Sequence, residues 1–463
     1  MLRDRYEPQN LFEMVAALSL KMEPVLARLD KLLDDDVLFG EVRADLAQRY
    51  PHTQQTGRPS TPVEVILRMI IVKHLYGWSY DETEYNVSDS LVLRQFCRVY
   101  LNAVPDDTTL IKWANLIQPQ TLHALLDHVT ELARSLKVTR GRKLRTDGTV
   151  VETNIHHPTD STLLGDAVRV LSRTLKKARQ VLQDQTTLSR DSFRDRTRSA
   201  RRQVKRIMEA ARLRGEQAAD QLQSAYRRLI DTVRASQRQA QRVAEALKAQ
   251  ADDRAERLSD QLNAFLPRVT RVIAQTVRRV LAGEPVPAED KLVSLFEPET
   301  AIIRKGKPAR PTEFGRVLWL DEVEGGIVSG YRILDGNPSE KEQLRPSLDH
   351  HIEVFDHPPD VLAADRGLYS QDNERYAQSQ GVKHVVMPKP GARSAERTAY
   401  EKQRWFRQGR NWRSGIEGRI SGLKRGQKLE RCLYHGSDGM ERWVGWGLIA
   451  HDLRIIARMS SDN

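Results

Sequence analysis

The chain has 463 residues, 74 Lys and Arg against 62 Asp and Glu, and a formal net charge of +12 at neutral pH. At roughly 150 residues per domain that length predicts two to four domains, and no stretch approaches the ~18 uninterrupted apolar residues of a membrane span. The best stretch, residues 63–75, is interrupted by Glu64, Arg68, Lys73 and His74, and the first residues lack the apolar run of a signal peptide. Two cysteines, Cys97 and Cys432, are too few for a disulfide framework or a CxxC metal site, which predicts a reducing, cytoplasmic setting. The excess of positive charge predicts a polyanionic partner, the plain alternative being a basic protein that has none.

Residues 10–135 read as mostly helical. Val63, Ile66, Leu67, Ile70 and Ile71 recur at helical spacing after the start signal Pro59-Ser60-Thr61-Pro62. Gly77-Trp78-Ser79 breaks the pattern, which resumes at Asp81 through Tyr85 and Val87. Val104-Pro105-Asp106-Asp107-Thr108 predicts a loop ending in a helix N-cap, followed by Leu110, Trp113, Leu116, Leu122 and Leu126. Helices joined by short turns suit DNA recognition, and suit an ordinary small helical domain equally well.

At Lys143 the texture becomes β-rich, through Thr146-Asp147-Gly148-Thr149-Val150-Val151. A block almost free of glycine then fills residues 161–285. Val168, Leu171, Leu175, Ala178 and Leu182 fall at spacings of three and four, and Ala218, Leu222, Ala225 and Leu229 repeat the rhythm. This stripe predicts long helices packed as a hairpin or coiled coil, with Pro267 and Gly283-Glu284-Pro285 marking the end of the block. Residues 161–290 carry 27 Lys and Arg against 16 Asp and Glu, so nearly the whole excess charge of the protein sits here. Solvated outer faces alone would be served by a balanced mixture, and the one-sided sign favours a phosphate-facing role.

Strand patterns return at residues 316–320 and 327–334, around the turn signal Glu324-Gly325-Gly326. A helix is expected over 339–355, a strand over 361–364 ending at Asp365, a helix over 371–380, a strand over 383–387, and helix again over 405–459. The sum is an α/β sheet covered by helices. Asp147 and Asp365 both end or nearly end strands, where open α/β sheets place their sites. On neighbouring strands their carboxylates would converge, and two like charges close together require a cation between them. Mg²⁺ suits such oxygen ligands, although a strand-end Asp often only caps the next helix. On a helix Arg413, Glu417 and Lys424 share nearly one face, either as an exposed Arg–Glu pair or as a carboxylate for a cation beside two phosphate-binding cations.

Taken together, these segments resemble the transposases of bacterial insertion sequences that carry an Asp-Asp-Glu triad on an RNase H-like fold. Residues 58–117 are similar to that family's N-terminal helical domain. RTDGTVVETNIHHPTDSTLL resembles its first catalytic strand and PDVLAADRGLYS its second. Arg413, Glu417 and Lys424 keep the spacing of the signature Tyr-x2-Arg-x3-Glu-x6-Lys, with Arg410 standing where the signature has tyrosine. The long helical insertion after the first strand also departs from many relatives, which carry a β-rich insert nearer the third carboxylate.

The resemblance implies catalytic, metal-binding roles for Asp147, Asp365 and Glu417, two Mg²⁺ ions (Mn²⁺ substituting), and phosphodiester cleavage followed by strand transfer. It implies double-stranded DNA as partner, both terminal inverted repeats and target, a homodimer on that DNA, and a location with the bacterial nucleoid. Arg413, Lys424, Arg410 and Trp412 become candidates for DNA contact. The division expected is 1–135 as an N-terminal helical DNA-binding domain, 140–160 and 300–463 as the catalytic domain, and 161–290 as a basic helical insertion. A non-catalytic DNA-binding protein and a nuclease sharing the fold are the alternatives. His156 and His157 read as loop residues, Trp443 and Trp446 as core, and the two cysteines as small buried apolar residues.

Overall fold

The computed structural model describes residues 1–7, 22–50, 52–53, 55–182, 188–214, 216–250, 252–304 and 311–459. The chain forms two compact units, Met1–Asn154 with Arg316–Asn463, and Ile155–Gly315.

The first unit joins a mixed sheet to a set of helices through one apolar core. The helix Val63–Tyr76 shows why. It starts after extended Pro62 and stops at left-handed Gly77, and every residue but Tyr76 is buried. Its polar residues are accommodated rather than solvated. Arg68, fully buried, donates to Asp30 at 2.7 Å and Asp34 at 2.6 Å and lies 3.4 Å from Glu64, which offsets the cost of burying a guanidinium. The last helix, Gly436–Met459, is also buried along most of its length and packs on Val63–Tyr76 and on Pro119–Ser135.

The strands of this unit are β1 (Lys143–Thr153), β3 (Glu313–Val323), β4 (Val328–Leu334), β5 (Val361–Ala363), β6 (His384–Val386) and β7 (Arg431–Cys432), while β2 (Ala301–Ile303) belongs to the second unit. β3, β1, β5 and β6 are successive neighbours, β4 flanks β3, and β7 flanks β1. The hairpin β3–β4 is antiparallel, while β1–β5 and β5–β6 are parallel. This mixed α/β architecture matches the strands expected at 143–153, 316–334, 361–364 and 383–387. The helix expected over 339–355 is realised as a single 3₁₀ turn, Glu340–Gln343, running into Leu344–Phe355. The short strands β2 and β7 and the helix Ala395–Lys402 carry too little pattern to be read from sequence.

In the second unit, four helices, Asp160–Val181, Thr197–Ala210, Glu216–Lys248 and Asp253–Thr276, pack on one another. Val168, Leu171, Leu175, Ala178, Leu182, Ala225 and Leu229 are all buried in their shared core, as the heptad-like stripe predicts. β2 pairs antiparallel with residues 313–315. Pro267 does not end the block: it lies inside the helix Asp253–Thr276. A proline there removes a hydrogen bond and crowds the preceding turn, but the buried neighbours Phe265, Leu266 and Val269 hold the helix against the core on both sides of it.

Candidate active site

Asp147 is the fifth residue of β1, and the parallel ladder to β5 closes at Arg145↔Ala363. Continuing that register by two residues brings Asp147 level with Asp365, just past the end of β5. Each aspartate has one oxygen fixed locally. The amide of Gly148 donates to Asp147 Oδ1 at 2.8 Å, and that of Arg366 to Asp365 Oδ1 at 2.7 Å. Asp365 does cap the 3₁₀ turn Arg366–Leu368, so capping and convergence occur in the same side chain. Gly148 is small for a reason: a Cβ there would stand 3.0 Å from the Trp319 ring.

The third element is the helix Arg404–Gly426. Its Arg413 guanidinium enters between the carboxylates. Nη2 lies 2.9 Å from Asp147 Oδ2 and 3.7 Å from Asp365 Oδ2, while Nη1 lies 3.4 Å from Glu417 Oε1. Exposure rises across the cluster, from 14% for Arg413 and 19% for Asp147 to 46% for Asp365 and 71% for Glu417. The site is therefore anchored in the sheet and open on the helix side. Arg413 Nε is buried with no hydrogen-bond partner among the described residues. Also among the described residues, no group of three or more His, Cys, Asp or Glu side chains stands ready as a metal cage. The guanidinium holds the centre instead, and its three carboxylate partners are the hard oxygen donors that a divalent cation takes.

What positions the helix is a buried ion network that sequence reading missed. Glu322 of β3 is only 1% exposed and receives Arg145 twice, at 2.9 and 2.7 Å, and Arg419 at 3.1 Å. Arg145 also donates to the Trp412 carbonyl and lies 4.8 Å over the Trp412 ring. Gly415 leaves it room, since a Cβ there would stand 2.5 Å from Arg145 Nη1. β1 is thus tied, two residues before Asp147, to the helix one residue before Arg413. The available signal was the acidic pair Asp321-Glu322 closing the apolar run Val317-Leu318-Trp319-Leu320 of β3.

Arg410 is exposed on this helix and Lys424 is half-buried. Trp443 and Trp446 are core residues, and Trp319 is buried with its indole N–H donating to Ser347 at 3.0 Å. His156 lies 3.4 Å from Asp166, and His157 meets Phe314 edge-on. Cys97 and Cys432 are buried and form no disulfide with each other, and burial pushes the Cys97 thiol up to about 12. No helix is long and apolar enough to cross a membrane among the described residues.

Residues 16–116 match a family model described as a transposase domain (DUF772). An uncharacterized protein, ORF8 in the nfe locus of Rhizobium meliloti, is 30% identical over 127 residues. That match covers 26% of this chain and 61% of the relative, so the chain spans less than two thirds of its length. No solved structure matches the chain.

Proposed function

We propose that this chain is a DNA transposase of the Asp-Asp-Glu type, with Asp147, Asp365 and Glu417 at the reacting centre and an RNase H-like sheet as its frame. The observation that carries the reading is the meeting of three carboxylates, from β1, from the turn after β5 and from a long helix, on one guanidinium. The transposase-domain match over residues 16–116 supports the class, and the mixed sheet flanked by helices supports the frame.

The same three carboxylates would hold two Mg²⁺ ions, or Mn²⁺ in their place. Such ions supply an activated water or hydroxyl nucleophile and neutralise charge on the phosphodiester oxygens. The chain's own residues do the positioning. Backbone amides fix one oxygen of Asp147 and of Asp365, which leaves the second oxygen of each directed at the centre. Arg413 offers guanidinium donors to phosphate oxygens at the cut, a geometry suited to paired hydrogen bonds. Arg410 and Lys424 extend that cationic row along the helix. Trp412 acts by stacking Arg145, which ties the helix to β1.

The N-terminal helices would recognise terminal inverted repeats, the basic four-helix unit would hold flanking or target DNA, and two copies would bring two ends together near the nucleoid. An Asp365→Asn variant tests the centre. With Mg²⁺ and a labelled element end, it should bind DNA as the parent does and neither cut nor join it. Cleavage at the parental rate would sink the assignment. Cutting by the parent with no joined product would make the protein a nuclease, and a retarded band alone would make it a DNA-binding protein.

A further inference from the structure

Where the helix Val63–Tyr76 ends, Gly77 takes the left-handed conformation at φ +67° and meets the segment that follows the helix Arg404–Gly426. A Cβ on Gly77 would stand 3.1 Å from Lys428 Cγ and 3.2 Å from the Gly426 carbonyl oxygen, so glycine lets the two segments close on each other. Lys428 itself holds φ +57°, a conformation that a lysine keeps only where its surroundings impose it.

Beside this junction opens a cavity of about 1070 Å³, large against the ~300–1,000 Å³ usual for ligand pockets. Lys424, Arg425, Lys428 and Arg431 line it, opposed by Glu82 and Glu430. Deeper in, the buried Lys73 ammonium lies 4.9 Å from the Tyr80 ring, 5.2 Å from Tyr434 and 4.9 Å from Trp443. Among the described residues no carboxylate lies within ion-pair distance of it, and burial pushes it down to about 8. Trp78, which also lines the cavity, stacks on Tyr76 at 4.6 Å and remains partly exposed.

A cationic rim over recessed aromatic rings selects among polyanions. Duplex DNA presents its phosphates outward and keeps its base faces stacked inside, beyond the reach of rings set in a cavity. A strand with unpaired bases offers phosphates to the rim and π faces to the floor together. One helix, Arg404–Gly426, carries both Glu417 and the lining residues Lys424 and Arg425. Lys424 lies seven residues past Glu417, about 10 Å along the axis.

We infer that this cavity is a binding site for a single-stranded stretch of DNA, whose unpaired bases stack on the Trp78 side while Arg425 and Lys428 take the phosphates. The inference rests on the transposase reading for the identity of the polymer. Its test is independent of the carboxylates. Fluorescence anisotropy of the full chain would compare a blunt duplex with the same duplex carrying a short unpaired tail. The parent binds the tailed probe more tightly. Trp78→Ala loses about tenfold on the tailed probe, the loss of one base stack, and leaves the blunt probe unchanged. Lys428→Gly, which suits the left-handed backbone and guards against a folding defect in the Trp78 variant, weakens tailed binding in the same selective way. Equal losses on both probes, or no loss on either, overturn the inference. An Asp365→Asn variant keeps the preference for the tail. If that variant still cleaves while the tail preference stands, the carboxylate assignment fails and the cavity does not.

Discussion

Replacing Arg145 by methionine should be the most damaging single change near the candidate site that leaves all three carboxylates in place. Arg145 is 7% exposed and Glu322 is 1% exposed, and the pair is bidentate at 2.7 and 2.9 Å. Methionine fills much of the stem volume but strands the carboxylate, and breaking one side of a buried pair costs about 3–5 kcal/mol. Arg419 still reaches Glu322 at 3.1 Å, so the lower end, about 3 kcal/mol, is expected. For a unit of this size that corresponds to a fall in Tm of about 6 °C, readable by calorimetry or by loss of helical signal on heating. The double variant Arg145→Met, Glu322→Leu should recover most of the loss, because two apolar residues need no counter-ion and Arg419, partly exposed, can turn to water. A Tm within a degree or so of the parent for the single variant, or no recovery in the double, would refute the view that an unpaired buried charge sets the cost.

Two further outcomes follow from the geometry. Arg201, Arg202 and Lys205 are exposed on the helix Thr197–Ala210. If they meet phosphates, converting all three to serine should reduce the slope of log affinity against log salt by about 2–3; an unchanged slope would remove this helix from the interface. His451 is buried beside Arg419 and Arg454, and burial first, then these cations, push it down to about 3. Its folded value is below its unfolded one, so the neutral ring's contribution is complete above pH ~6.5 and is lost as pH falls toward 3. Urea midpoints taken from pH 7 downward should therefore drop less steeply for His451→Asn than for the parent, and parallel curves would count against the effect.

Much of the fold was legible because its strongest periodicities are long. The stripe of Val168, Leu171 and Leu175 could only be a buried helix face, and the alternation around Glu324-Gly325-Gly326 could only be a hairpin. Asp147 and Asp365 were legible as strand-end carboxylates, although Asp147 proves to lie within a strand whose ladder to β5 ends before it. What sequence could not supply was partnership across the chain. Arg413 read as a neighbour of Glu417 on one helix, and its contacts to Asp147 and Asp365 depend on where the helix is tied down by Glu322. Pro267 misled because local chemistry disfavours a helix there while packing on both sides imposes one. Gly77 read as a break, and its close approach to Lys428 appears only in three dimensions.

The placement of the four-helix unit bears on how the protein assembles. β1 must wait for its neighbour β3 until more than a hundred and fifty intervening residues have been made, and closing a loop costs more entropy the longer it is. That unit has a core of its own and brings its own extremities together: His157 meets Phe314 with ring centroids 5.7 Å apart. Once it has formed, the chain between β1 and β3 behaves as a short tether rather than a long one. Order of synthesis then works in favour of the sheet, with the bundle folding first and delivering β3 to β1. A destabilised bundle core, for instance at Leu229 or Val269, would accordingly slow the pairing of β3 with β1.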